Sequence, residues 1–373
     1  MALVNKAYRY RFYPTDAQKK QLDRSFGCAR FVYNYFLKLR TDSYYEKQER
    51  INYYKTGKLL TQLKKDNDYC WLQEVSSVGL QNTLRDLDKA FSNFFAGRAK
   101  YPAFKKRTAN QSICYTKSAF SLKNEVLTIA KNKTPLNIRW SRQFNEVPSS
   151  ITVSKDCAER YFVSFRVKEQ VYSLPQINKS IGIDVGIKDI CVTSDSFRSG
   201  APKYSRKYEG KLSEAQRTLS RKKNGSKNRE KARRKVAKIH AKIADSRNDF
   251  NNKLSTKLIR ENQSISIENL NIKGMLKSRP VAKSISDSSW GSLFRKLKYK
   301  AEWYGRSIIV IDRWFPSSKR CHKCGYINNS LKLRDRSWKC PSCKEVLDRD
   351  INAAKNILTI GRKLEPLVSL LDK

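Results

Sequence analysis

Three carboxylates and four cysteines are set apart by their neighbours. In Ser180-Ile-Gly-Ile-Asp184-Val-Gly-Ile187 a period-two pattern puts Ile181, Ile183, Val185 and Ile187 on one face of a strand and Gly182, Asp184 and Gly186 on the other. The glycines beside Asp184 suggest room for metal ions and a phosphate to approach the backbone. Ser264-Ile-Ser-Ile-Glu268 repeats the design, with Ile265 and Ile267 towards a core and Ser264, Ser266 and Glu268 opposite. From Asp348 to Leu358, helical projection groups Asp350 with Ala353, Ala354 and Ile357 and sends Asp348 to the other side. The small alanines predict close packing on a sheet, with Asp350 directed towards the other two acids. Any one of these acids alone reads as a surface or capping residue. Together they are the hard-oxygen set that a two-metal phosphodiester hydrolase needs, holding two Mg²⁺ or Mn²⁺ about 3.5–4 Å apart. One ion activates water and the other stabilises the leaving oxygen.

The cysteines have a different chemistry. Cys321-x2-Cys324 and Cys340-x2-Cys343, separated by fifteen residues, have the spacing of a four-thiolate zinc site. Four sulfurs fill a tetrahedron, so this single Zn²⁺ is structural. Gly325 and Pro341 suit the turns, and His322 reads as a bystander because no coordination position is left for it. The bland alternative is a set of reduced thiols paired by chance, which the doubled spacing disfavours. The other five cysteines (Cys28, Cys70, Cys114, Cys157 and Cys191) are scattered singly, as in a chain from a reducing, cytoplasmic compartment.

The elements that must position these groups sit in a very basic chain. Lys and Arg number 78 against 34 Asp and Glu in 373 residues, a formal net charge of +44. Such self-repulsion calls for a polyanionic partner, with nucleic acid first. With 39% apolar residues the chain can fill real cores, and its length suggests two to three domains at about 150 residues each. Apolar runs are far short of the roughly 20 residues that span a bilayer, and the basic-aromatic N-terminus has no signal-peptide core.

Tyr8, Tyr10 and Phe12 alternate with Arg9 and Arg11, which predicts a strand that stops at Pro14. Thr15 to Gln18 has capping-box spacing ahead of a helix carrying Leu22, Phe26, Phe31, Tyr35 and Leu39. Helical periodicity also runs from Leu72 to Phe95 before Tyr101-Pro102. Short β-rich pieces follow (112–115, 126–129, 151–153 and 161–167), then a linker-like stretch from Lys168 to Lys179. Beyond it, strands alternate with helices as in an α/β domain, Ile190 to Thr193 reading as a second strand that returns from a tight turn. Between Lys203 and Lys242 sixteen Lys or Arg face three Glu, with Asn224-Gly225-Ser226 dividing two helices. Arg221, Lys222, Lys223, Arg233 and Arg234 here, with Arg9 and Arg11, are candidate phosphate contacts.

The ordered set of Asp184 in Ile-Gly-Ile-Asp-Val-Gly, Glu268 in Ile-Glu-Asn-Leu, Pro316-Ser-Ser-Lys-x-Cys321, the four-cysteine ribbon and Asp350 in Asp-Arg-Asp-Ile-Asn-Ala-Ala resembles the TnpB family. These are insertion-sequence-encoded RNA-guided nucleases related to type V CRISPR effectors. Phe26 to Asn34 and Tyr101 to Lys105 extend the resemblance over nearly the whole chain. It implies a multidomain α+β fold. An N-terminal β-barrel wedge (1–14 and 106–170) would carry a helical recognition insert (15–105), followed by a linker (171–179). A RuvC-like, RNase H-type α/β nuclease domain (180–320 and 344–373) would hold the zinc ribbon (321–343). It further implies a transposon-derived guide RNA, a double-stranded target with a short adjacent DNA motif, and catalysis by Asp184, Glu268 and Asp350. The protein would be a monomer within a ribonucleoprotein in a prokaryotic cell. By analogy Ser77, Gln81 and Asn82 are polar candidates for reading the adjacent motif, although ordinary helix-surface roles suit them equally. Competing expectations are a nuclease-inactive RNA-guided DNA-binding regulator, a transposase that breaks and joins DNA, and a basic zinc-ribbon binding protein. The acid order Asp, Glu, Asp counts against the transposase, and the Gly-flanked Asp184 against the last.

Overall fold

The computed structural model describes residues 2–332 and 334–371, and the chain divides into two compact units, Leu3–Glu169 and Gln170–Lys373.

The first unit begins with β1 (Ala2–Phe12) and α1 (Asp16–Lys47). Pro14 removes a ladder donor and Thr15 starts the helix: its hydroxyl accepts from Gln18 N, while Gln18 Oε1 accepts from Thr15 N at 3.0 Å. After α2 (Tyr53–Leu63), the single helix predicted from Leu72 to Phe95 is two pieces, a 3-10 segment Asn67–Glu74 and α3 (Ser77–Phe95), joined by extended Val75 and Ser76. Leu72 and Leu80 nevertheless enter one apolar cluster with Val32, Phe36 and Leu84, so the periodicity followed burial across the break.

The strands β2 (Gln111–Thr116), β3 (Phe120–Lys123), β4 (Val126–Ile129), β5 (Ile138–Arg139), β6 (Ser150–Lys155) and β7 (Tyr161–Val171) complete this unit. Five form a sheet in the order β2-β6-β7-β1-β5, and β3-β4 is a separate hairpin. Tyr10, Phe12, Tyr115, Leu127 and Phe165 share one core with Leu22 and Phe26 of α1. Among the described residues the sheet is open, with β2 and β5 as its edges, and is not a hydrogen-bonded barrel.

The second unit contains β8 (Ser180–Asp184), β9 (Val192–Thr193), α4 (Tyr204–Lys207), α5 (Glu209–Ser220), α6 (Lys227–Glu261), β10 (Ser264–Glu268), α7 (Ile272–Met275), α8 (Arg279–Ser288), α9 (Trp290–Tyr304), β11 (Ser307–Ile311), β12 (Ser337–Lys339), β13 (Val346–Asp348) and α10 (Arg349–Leu371). Its main sheet runs β11-β10-β8-β9, with β8, β10 and β11 parallel and β9 antiparallel to β8. Parallel neighbours need crossovers, and α6 and α9 supply them: Leu254, Leu258, Leu293 and Leu297 pack with Ile181, Ile183, Ile265 and Ile267. The opposite face carries α10. A Cβ placed on Gly182 would lie 2.5 Å from Leu358 N and 3.0 Å from its Cα. The sheet is therefore covered on both sides, as its buried strands require.

The linker-like stretch is fastened to this unit. Leu174 N donates to Tyr304 O at 3.1 Å, and Arg306 Nη2 donates to Pro175 O at 2.9 Å. Among the described residues no helix is long and apolar enough to cross a membrane.

Candidate active site

Ile183 and Ile267 are register partners in parallel strands, so the next residues, Asp184 and Glu268, leave adjacent strand ends side by side. Gly182 and Ser266 meet α10 on this face, since a Cβ on Gly361 would come within 2.6 Å of Ser266 Cβ. Alternation carries Asp184 and Glu268 to the same face, two residues further along each strand. The first turn of α10 supplies Asp350, while Ala353, Ala354 and Ile357 are buried against the sheet.

Three sequence expectations change here. The expected strand through Ile187 ends at Asp184, because Gly186 N turns back to Asp189 O at 3.0 Å. The glycines also serve a different purpose: the space at Gly182 is filled by the backbone of α10, and a Cβ on Gly186 would lie 3.0 Å from Asp189 O. They permit close packing that delivers the carboxylates, rather than leaving a channel for ions. Asp348, expected on the far side of a helix, instead ends β13 and caps α10. Its Oδ1 accepts from Asp350 N at 3.1 Å and Ile351 N at 3.0 Å.

The electrostatics mark the three acids as a set. Burial pushes the Asp184 carboxyl well above its usual range, and the negative charges of Glu268 and Asp350 push it further, against Arg349 and the Val185 N–H. Burial also raises Glu268, opposed by a hydrogen bond from Ser317 Oγ to its Oε1 at 2.5 Å. Asp184 and Glu268, raised in this way, are suited to a bound cation, and carboxylate oxygens are the donors Mg²⁺ prefers. Asp184, Glu268 and Asp350 are the residues that fit that role.

Several supporting residues escaped the sequence reading. Asn352 and Asn356, nearly fully buried on α10, both donate to Arg320 O, at 2.7 and 2.5 Å; Asn356 also donates to Ser317 O at 2.8 Å. They hold the segment that carries Ser317 against the helix that carries Asp350. Buried Asn at i and i+4 beside Ala353-Ala354 was the available signal. Arg198 donates Nη1 to Asp189 Oδ2 at 3.1 Å and Nη2 to Asp348 Oδ2 at 2.8 Å, and lies 3.7 Å from Asp350 Oδ2. No spacing in the sequence announces it.

In the ribbon, the sulfurs of Cys321 and Cys343 are 3.6 Å apart, as are those of Cys324 and Cys340, and ligand atoms of all four lie within 4.8 Å of one another. A tetrahedral zinc with Zn–S near 2.3 Å places its sulfurs about 3.8 Å apart, so the cluster fits one Zn²⁺. Among the described residues these four cysteines are the one such cluster of three or more His, Cys, Asp or Glu ligand atoms. The two knuckles match: Gly325 N returns to Cys321 O at 2.9 Å and Lys344 N to Cys340 O at 3.0 Å, with φ of 81° and 61°. Lys344, rather than Pro341, is thus the counterpart of Gly325. His322 Nδ1 faces Asn352 Oδ1 at 3.1 Å, outside the sulfur cluster. The ribbon extends beyond Cys343, since β13 pairs with β12 and leads directly into α10.

The proposed nucleic-acid contacts divide. Asn82 is 7% exposed and donates to Cys114 O at 3.0 Å, so it braces α3 on β2; Ser77 and Gln81 are exposed. Arg221, Lys222 and Lys223 are exposed at the tip of the α5–α6 hairpin, where Arg229 Nη1 donates to Lys222 O at 2.9 Å. Arg233 and Arg234 lie beside Glu230, with N–O distances of 2.6 and 3.8 Å. Arg9 covers the Phe162 ring at 3.7 Å and Arg11 lies 5.4 Å from it.

Known structures share this fold. A structure titled "Cryo-EM structure of the Cas12f1-sgRNA-target DNA complex" aligns with a TM-score of 0.59 at 13% identity, covering 95% of this chain and 98% of that one. A second, "Structure of the mini-RNA-guided endonuclease CRISPR-Cas_phi3", gives 0.54 at 9% identity, covering 96% and 92%. The class is therefore the Cas12f-like fold, of mixed α/β content. Family models match residues 164–279 (OrfB of IS605, "Probable transposase"), 290–357 ("Cas12f1-like, TNB domain") and 1–57 ("Helix-turn-helix domain"). The last stretch here forms β1, the long α1 and the start of α2, not two short helices across a tight turn. Two curated relatives are named "Putative RNA-guided DNA endonuclease": one from Streptomyces pristinaespiralis is 48% identical over 97% of this chain and 90% of its own length, and InsQ of Escherichia coli (strain K12) is 30% identical over 95% and 92%. The chain belongs to this TnpB/OrfB family.

Proposed function

We infer that the protein is an RNA-guided DNA endonuclease that hydrolyses phosphodiester bonds at Asp184, Glu268 and Asp350. The observation that carries this reading is the convergence of those acids, from two parallel strand ends and the first turn of α10, on one face of the sheet. Two bound Mg²⁺ or Mn²⁺ would supply a nucleophilic hydroxide and neutralise charge on the leaving oxygen. The chain's own contribution is to hold three oxygen donors at one place. Ser317 orients Glu268 and favours its ionised form, and Asp348 fixes the start of α10, from which Asp350 projects. The four thiolates hold one Zn²⁺ that keeps the ribbon folded beside this helix.

The names of the relatives support guide RNA and target DNA as partners, and the surplus of positive charge supports extensive phosphate contact. In this reading the second unit is the RuvC-like, RNase H-type domain, and the first binds guide RNA and the motif beside the target, using exposed Ser77 and Gln81. Base pairing supplies most of the sequence choice. A single chain forms the ribonucleoprotein. The test is cleavage of a matched duplex by purified ribonucleoprotein with Mg²⁺. Wild type cuts and Asp184→Ala does not. Equal rates would overturn the assignment, and strand joining without RNA would favour a transposase.

A further inference from the structure

Trp314 is 83% exposed, on the segment between β11 and the ribbon. Exposure alone decides nothing, because single aromatic residues on protein surfaces are ordinary. Its position decides more. One residue before it, Arg313 Nε donates to Asn269 O at 2.9 Å, and Asn269 directly follows Glu268. Three residues after it, Ser317 donates to Glu268 itself at 2.5 Å. The indole is thus bracketed by two attachments to the Glu268 strand end, and three residues of chain reach no more than about 11 Å.

The turn that presents the indole is fixed as well. Asp312 Oδ1 accepts from Trp314 N at 2.7 Å, and Ser317 N donates to Phe315 O at 2.8 Å. Asp312 is thereby engaged with the turn's own backbone, while Arg313, Lys319 and Arg320 give the segment a positive character. A flat, exposed π-face on a basic segment tied to the Glu268 strand end has the features of a nucleobase platform.

Resting on the nuclease reading above, we propose that Trp314 stacks on a base of the single-stranded DNA beside the scissile phosphate and so positions that phosphate at Asp184, Glu268 and Asp350. Stacking of this kind does not depend on which base is present, as a guided enzyme requires. It adds a contact to the strand being cut, separate from the guide–target duplex. Guide binding is accordingly independent of Trp314.

The test uses full-length ribonucleoprotein and a matched target whose cut position has been mapped with wild type. 2-Aminopurine is placed in turn at nucleotides flanking the cut, in complexes carrying Asp184→Ala so that the DNA stays intact. One or two positions are quenched, Trp314→Ala restores their fluorescence, and Trp314→Phe does not. In cleavage-competent protein Trp314→Ala slows cutting roughly five- to one-hundredfold with guide affinity unchanged, and Trp314→Phe recovers most of the rate. Quenching that ignores Trp314, or an equal rate loss in the Phe and Ala variants, overturns the stacking role alone. Wild type that cuts no faster than Asp184→Ala overturns the nuclease reading, and this inference falls with it.

Discussion

The hydroxyl of Ser317 donates to Glu268 Oε1 at 2.5 Å, while Asn356 holds the Ser317 carbonyl at 2.8 Å. One helix thus carries Asp350 and, through an amide and a serine, sets the state of a second acid on another strand. Ser317→Ala removes the bond that opposes the burial-driven rise of the Glu268 pKa. Losing such a partner lowers activity or metal affinity about 10–100-fold. Cleavage by Ser317→Ala should fall by that order at low Mg²⁺ and recover partly as Mg²⁺ or pH is raised. A metal titration of cleavage rate checks it, and an unchanged Mg²⁺ requirement would contradict the positioning role.

Asp184 should make the fold less stable in the absence of divalent metal. Its carboxyl, like that of Glu268, titrates higher in the folded chain than in the unfolded one. Between the two values the folded state binds more protons, so stability falls as pH rises upward from the ordinary carboxylate range near 4. Asp184→Asn should therefore unfold at a higher temperature than wild type at neutral pH without Mg²⁺, while cutting nothing. For a unit of this size each 1 kcal/mol moves the midpoint by about 2–4 °C. Thermal scans at several pH values check the sign, and the gap between the two proteins should close in acid. Added Mg²⁺ should raise the wild-type midpoint more than that of the variant.

Gly182 fails as alanine for steric reasons. The added methyl would sit 2.5 Å from the amide nitrogen of Leu358, in helix backbone that cannot rotate away. Overpacking of this kind costs about 1–3 kcal/mol or more. Gly182→Ala should lower the unfolding midpoint and also suppress cleavage, because Asp184 lies two residues along the same strand. Gly57→Ala is the control: nothing lies within 4 Å of its Cβ position in α2, so stability should hold or rise by about 0.5–1 kcal/mol. Denaturant unfolding of both variants separates close approach from a general glycine effect.

Zinc should be present at one ion per chain and should leave with the cysteines. Cys340→Ser replaces a buried thiol in the cluster that includes Trp338 and Leu347 in the ribbon core. Metal analysis should show the loss of zinc, and tryptophan emission should shift to the red as Trp338 meets water. Extra Mg²⁺ should not restore the lost cleavage, since the two metals serve different ends. Full activity without zinc would show that the ribbon is dispensable for cutting.

Much of this was legible in the sequence because it rests on local rules. The four-cysteine spacing, the Thr15 capping box, the break before Ser226 and the strands around Asp184 and Glu268 each follow from a few neighbouring residues. Contacts between distant segments were not legible in this way. Leu72 and Leu80 share a cluster across a broken helix because burial imposes periodicity on sequence whether or not the backbone is continuous. Asn82 looked like a helix-surface residue until β2 packed over it. Gly182 looked like open space until α10 filled it, Asp348 became a cap because β13 ends at the helix start, and Ser317, Asn356 and Arg198 gained their roles from partners 49, 39 and 150 positions away. The sequence determined which groups could hold metal. Tertiary structure decided which face they share and what holds them there, because packing one helix against two parallel strand ends joins residues that no local pattern relates.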